Sequence, residues 1–213
     1  MKKILLQVVL IAVIIVLIYW FYTLINNPLE FEKERTRREA AVIERLKDIR
    51  TVQRAYRAKY FRFTPNFDTL TYFVQHDSIV LEKAIGSEDD SLAVAQGRVT
   101  RIQYKMAVKD TIVPAGFDPT VLKYIPYSDV VNESLGRGAK FEEFYMDTAS
   151  IETESKVVVP VFEASAPYIT FLGDLNEQEL INFRDIRINT LGRDDGLKVG
   201  SLQSTTNESG NWE

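Results

Sequence analysis

Apolar and polar positions divide the chain into three regimes. From Ile4 to Ile25 every position is apolar except Gln7 and the interfacial Tyr19, Trp20, Tyr22 and Thr23. A run of about 22 residues makes roughly 33 Å of helix, enough to cross a bilayer core of about 30 Å. Lys2 and Lys3 precede it, and Tyr19, Trp20 and Tyr22 stand where a span meets the headgroups. A cleaved signal peptide has a shorter apolar core and a small-x-small cleavage site. Here the core leaves through Leu24-Ile25-Asn26-Asn27-Pro28, so a retained anchor is expected.

In the second regime, from Leu29 to about Tyr60, the period is helical. Val42, Leu46, Ile49, Val52/Gln53, Tyr56 and Tyr60 recur at steps of three and four and form one stripe. The stripe suits either the protein's own core or a partner helix. The stretch Glu30 to Glu39 reads as polar all round, expected to project from the membrane or to pair with another helix. Asn26-Asn27-Pro28 punctuates the boundary, where proline either opens a new helix or kinks a continuous one.

Beyond Thr64-Pro65-Asn66, a short helix is expected from Phe67 to about Phe73 or His76. Gly86 to Ser91 reads as an exposed loop. The period then shifts toward two. Val99–Val108, Lys140–Met146, Lys156–Glu163, Tyr168–Leu172 and Ile186–Thr190 read as strands, and Gly192–Gly196 as a hairpin turn. The polar tail from Gln203 to Gly210 reads as loose, with Trp212 able to pin its end. The fold class is α+β: a transmembrane helix extended by an amphipathic helix packed on a small antiparallel sheet. The expected divisions are an anchor (1–27), a charged stalk (28–62), a head (63–202) and a tail (203–213).

Charge sharpens this division. Residues 26–62 carry 11 Lys/Arg against 6 Asp/Glu, whereas residues from 63 onward carry 13 against 24. A basic neck thus joins the anchor to an acidic head. Arg50, Arg54 and Arg57, with Val42, Leu46 and Ile49, are the stalk positions expected to meet a partner, either another envelope membrane protein or a second copy. The acidic bulk argues against nucleic acid. The short basic N-terminal tail places the head outside the cytoplasm, in the periplasm, by the positive-inside pattern, with a cytoplasmic head as the alternative.

Catalytic chemistry is thin. The chain has no cysteine and one histidine, which excludes thiolate metal sites, a Cys nucleophile and a His-based cluster within one chain. His76 reads as an exposed helix-end residue. Glu88-Asp89-Asp90 and Asp194-Asp195 lack the alternating spacing of a calcium loop. Gly136-Arg137-Gly138 and Gly192-Arg193 read as turns, and Glu142, Glu143 and Asp147 as strand-edge carboxylates. No cofactor, no metal and no enzymatic activity are expected.

Two resemblances add to this reading. Ile43-Glu44-Arg45-Leu46-Lys47-Asp48-Ile49-Arg50 through Tyr56 and Tyr60, followed by Phe63-Thr64-Pro65 and Leu70, resembles the element where type IV pilins and type II secretion pseudopilins leave their long helix. That likeness implies a pilin-like structural or assembly subunit of a cell-envelope machine, in the cytoplasmic membrane. No leader ending in glycine precedes the span and no glutamate stands at the fifth position after one, so prepilin processing is not expected. The chain also resembles single-span envelope proteins of Bacteroidota. Asp followed by Ser or Thr and then an apolar residue resembles the periplasmic O-glycosylation signal of that phylum, at Thr69, Ser78, Ser91, Thr111 and Thr148. The alternative function is a ligand-binding or sensory head recognising glycan or peptide, with Tyr124, Tyr127, Phe141, Phe144 and Tyr145 as its aromatic residues.

Overall fold

The computed structural model describes residues 2–85, 100–111 and 118–213, and its fold is α+β. Helix α1 runs unbroken from Lys2 to Tyr60 and carries Pro28 in its interior. Proline there removes one helix hydrogen bond and frees the carbonyl four residues earlier, that of Leu24. That carbonyl falls at the end of the apolar run, and the helix continues through it instead of restarting. It ends where Phe61 turns left-handed.

Helix α2 (Phe67–His76) is capped by Asn66, whose side chain accepts from Asp68 N–H at 2.8 Å, and it buries Phe67, Leu70, Phe73 and Val74. Strands β1 (Ser78–Ile85) and β2 (Thr100–Ala107) pair antiparallel, Ser78 opposite Ala107. The short helix α3 (Val108–Thr111) follows. Later come α4 (Ser128–Ser134) and a second sheet in the order β3 (Tyr145–Glu152), β4 (Val158–Pro167), β5 (Gly196–Gly200). β3 and β4 form an antiparallel hairpin. Between β4 and β5 lie α5 (Tyr168–Leu172) and α6 (Glu177–Asp185), the latter continued by a π-helical segment, Ile186–Thr190. Gly200 has φ +78, and a side chain there would collide with the Phe162 carbonyl, so β5 approaches β4 as only glycine allows.

Two compact units share the chain. The first comprises Met1–Ile43, Ile125–Glu142 and Ala166–Leu197. In it, Phe31, Arg38 and Val42 of α1 are buried, together with Tyr168, Phe171, Leu172 and Leu180. Tyr168 packs edge-on against Phe183 at 4.9 Å between ring centroids, and Phe31 lies 6.2 Å from Phe183. The second comprises Glu44–Tyr124, Glu143–Ser165 and Lys198–Glu213. Its core takes Leu46, Ile49, Val52 and Tyr56 from α1, Leu70 and Phe73 from α2, and Phe162 from β4. Gln53 is buried there too, but both ends of its amide are used: it donates to the Thr64 carbonyl at 2.6 Å and accepts from Thr64 N–H at 3.3 Å. A fully bonded amide removes the penalty that would otherwise exclude it.

Several sequence expectations need correction. Tyr168–Leu172 is a helix, because Tyr168, Phe171 and Leu172 all face inward at helical spacing after Pro167, overriding their β preference. Ile186–Thr190 is π-helical, not a strand; the alternation that suggested one is two exposed isoleucines. Gly192–Gly196 therefore joins a helix to a strand and not two hairpin strands. The strand expected from Lys140 begins only at Tyr145, with one isolated bridge between Tyr124 and Glu143. The Glu30–Glu39 stretch does not project freely, since Phe31 and Arg38 are buried in the protein's own first unit. The tail is not loose either: Gly200 N–H donates to the Ser209 carbonyl at 2.9 Å, Asn211 N–H to Lys198 at 3.0 Å, and Val199 bridges Gly210.

Truncation separates the two roles of α1. Leu46→Ala should cost about 2–5 kcal/mol in urea unfolding of the detergent-solubilised protein, whereas exposed Leu17→Ala should leave the midpoint unchanged. Equal effects of the two would contradict the assignment.

Candidate functional site

Among the described residues, the first part of α1 stands out as apolar and uncovered. From Val9 to Ile25 its large apolar side chains are exposed on every face, and none of its most apolar window is buried. The helix is long and apolar enough to cross a membrane. Tyr19, Trp20 and Tyr22 are exposed near its end, where Thr23 caps the Trp20 carbonyl at 2.9 Å. Asn26 then donates to Glu30 at 2.7 Å, opening the polar section.

Charge in that section is arranged to pack. Arg35 pairs with Glu32 and lies 3.3 Å from Glu39, while Arg37 lies 3.3 Å from Glu34. Buried Arg38 donates to the Phe171 carbonyl and to Asp174, each at 2.9 Å, and its guanidinium lies 5.2 Å from the Tyr127 ring centre. Arg35 stacks over Phe183 at 4.5 Å. Arginine's flat, weakly hydrated head lets a basic helix face enter a core in this way. Burial pushes the Glu39 carboxyl above its ordinary range, against the opposing pull of Arg35 and Arg187. Burial, aided by the Glu39 charge, also pushes the Tyr168 phenol up to about 12, and its hydroxyl has no hydrogen-bond partner.

The expected stalk positions are placed as follows. Val42, Leu46 and Ile49 are buried in the protein's own fold. Arg50 pairs with Glu213 at 2.7 Å, Arg54 with Glu208 at 3.0 Å, and Arg57 with Glu208 at 2.6 Å. Glu208 is buried and left-handed (φ 53), a conformation that a non-glycine residue holds only when its surroundings repay it. Glu208 and Asp174 were not singled out from the sequence; a lone acid in a polar stretch carries no signal of its partner.

Of the candidate glycosylation hydroxyls, Thr69 and Thr148 line one cleft of about 560 Å³ with Tyr56, Arg62, Phe63 and Ser150. Thr111 donates to the Ala107 carbonyl at 2.9 Å, Ser78 opens β1, and Ser91 lies outside the described residues. In two of these tripeptides the aspartate accepts from the next backbone N–H: Asp77 from Ser78 at 3.3 Å and Asp147 from Thr148 at 2.7 Å. The pattern therefore also serves a local backbone purpose.

His76 is exposed and stacks on Tyr72 at 4.5 Å. Glu142 accepts from Asn132 at 3.2 Å, Glu143 pairs with Lys123 at 2.8 Å, and Asp195 pairs with Arg184. Glu88-Asp89-Asp90 lies outside the described residues; among those described, no group of carboxylates and histidine is arranged to hold a metal. The five aromatics proposed for ligand recognition do not behave alike. Phe144 is buried, Tyr124 is half-buried, Tyr145 and Phe141 are exposed, and Tyr127 is left-handed beneath Arg38. No protein-family model, curated protein or solved structure matches this chain.

Two tests follow from these pairs. Glu208→Gln should cost about 2 kcal/mol, less than the loss of a wholly buried pair, because both arginine side chains keep over a third of their surface in water. A urea midpoint unchanged from the parent would show the clasp to be idle. At Asp77, burial raises the carboxyl's pKa, but hydrogen bonds from Lys59 and Tyr60 outweigh it and hold the group below its ordinary value of 3.8. A depressed carboxyl contributes stability above its unfolded pKa and loses it as pH falls through the folded one. Asp77→Asn should thus narrow the stability difference between pH 5 and roughly pH 2–3; an identical acid profile in the variant would contradict the assignment.

Proposed function

We propose that this chain is a bitopic membrane protein whose folded part acts, without catalysis, as a structural or assembly subunit of a cell-envelope machine, held in the cytoplasmic membrane with its folded part in the periplasm. The observation that carries the reading is the contrast along α1: apolar and uncovered on every face up to Ile25, then committed to the protein's own fold from Phe31 onward. An uncovered apolar helix needs lipid or another membrane helix around it. The order of a long N-terminal helix followed by small antiparallel sheets supports kinship in design with pilins and pseudopilins. With Val42, Leu46, Ile49, Arg50, Arg54 and Arg57 engaged within the chain, the partner-facing surface in this reading is the apolar segment and not the stalk.

A second reading, a membrane-anchored head that binds glycan or peptide, draws on the cleft at Thr69 and Thr148. Its hydroxyls, Arg62 and flanking aromatics suit a small polar ligand. The assembly reading predicts that in-cell crosslinking and mild detergent extraction yield a species larger than the monomer, containing a second copy or another membrane protein. A lone monomer by both methods would sink it. Protease digestion of spheroplasts tests the side: a C-terminal tag should be lost while a cytoplasmic control survives.

A further inference from the structure

The first unit carries, besides the apolar part of α1, a helix that runs toward the place where that apolar part stops. The register is set by two contacts. Just ahead of α6, Asp174 and the Phe171 carbonyl hold Arg38. Phe183, near the end of α6, instead packs on Phe31 and beneath Arg35. Between residues 174 and 183 the chain therefore moves from Arg38 to Phe31, about 10 Å along α1 toward the apolar segment. Asp185 and Ile186 both keep right-handed helical dihedrals (φ −60, ψ −46), so the chain stays helical where the π-helical segment Ile186–Thr190 begins.

Leu191 stands eight residues beyond Phe183, about 12 Å at most by helical rise, while Ile25 is about 9 Å below Phe31. Helix side chains lean toward their own N-terminus, so the Phe183 ring reaches up and its backbone lies lower still. Carried on along the same course at helical rise, the end of this helix would stand at about the level of Ile25. A headgroup layer occupies roughly 5–7 Å outside each face of the hydrocarbon. Three apolar side chains are exposed in this stretch, Ile186 at 53%, Ile188 at 39% and Leu191 at 54%, among exposed Asp185, Asn189 and Thr190, with Leu29 of α1 63% exposed nearby in height. Local charge is in part balanced, since Arg184 pairs with Asp195 and Asn189 donates to Asp185 at 2.6 Å. Exposed Arg193 has the length to keep its head among the phosphates while its stem lies lower.

We propose that Ile186, Ile188 and Leu191 form a second membrane contact, seated in the interfacial layer of the bilayer that α1 crosses. The inference rests on α1 spanning that bilayer. A span alone leaves the protein free to rotate and tilt; a second, laterally displaced contact fixes the first unit's orientation on the membrane plane. The occupant is lipid because the span fixes the height of these residues at the headgroup boundary, and interfacial helices bury their apolar side about 5–10 Å into that zone.

The absence of cysteine makes the test clean. Single substitutions Leu191→Cys, Gln178→Cys and Val16→Cys, each carrying a small fluorophore, are placed in the full chain and reconstituted into phosphatidylcholine nanodiscs with or without brominated acyl chains. Gln178 is exposed at the opposite end of α6, about 20 Å from Leu191 along the helix. Bromine should quench the label at 16 strongly and the label at 191 by about twofold, and leave 178 unchanged. Quenching at 16 without quenching at 191 would overturn the second contact and leave the span standing. Equal quenching at 178 and 191 would overturn the register. No quenching at 16 would remove the span, and the second contact with it.

Discussion

One helix presents two unlike surfaces along its length. Up to Ile25, α1 offers apolar side chains all round and is long and apolar enough to cross a membrane; from Phe31 onward the same backbone offers one buried face and charged flanks. The change happens within about two turns and without a break, through Asn26, Asn27 and Pro28. Much of the folded protein is assembled on the far side of that transition. Both compact units draw part of their core from α1, Val42 in the first and Leu46, Ile49 and Tyr56 in the second.

The charged residues after the transition serve packing more than solvation. Arg38 sits buried against Asp174 and Tyr127, Arg35 spreads over Phe183, and Arg54 with Arg57 closes on Glu208. Each guanidinium supplies flat apolar area as well as a charge. The basic excess of residues 26–62 is therefore partly answered by acids from far along the chain, which is why a neck that reads as basic need not present a basic surface. The clasp at Glu208 also explains how a C-terminal segment rich in Ser, Thr and Asn is held in place.

How much of this was legible in the residues varies with the kind of signal. The apolar segment, the helix to Tyr60, the Thr64-Pro65-Asn66 turn and α2 rest on local periodicity and capping, which one segment states by itself. The stripe Val42, Leu46, Ile49 was visible, but whether it met the protein's own core or a partner depended on distant segments. Tyr168–Leu172 and Ile186–Thr190 misled because β-branched and aromatic residues suggest strands until burial at helical spacing or the preceding helix decides otherwise. Asp174, Glu208 and the fixed tail were invisible for a different reason: an ion pair between residues 136 or more apart leaves no trace in either neighbourhood.

The exposed apolar part of α1 either lives in a bilayer or is covered by other protein. Alkaline carbonate extraction of membranes from cells making the full chain measures this directly, because it strips proteins held by charge or by other proteins and leaves spanning segments in place. A spanning α1 keeps the protein in the membrane pellet with integral controls, and that is the expected result. Release into the supernatant would mean that the apolar helix is covered by protein instead of lipid.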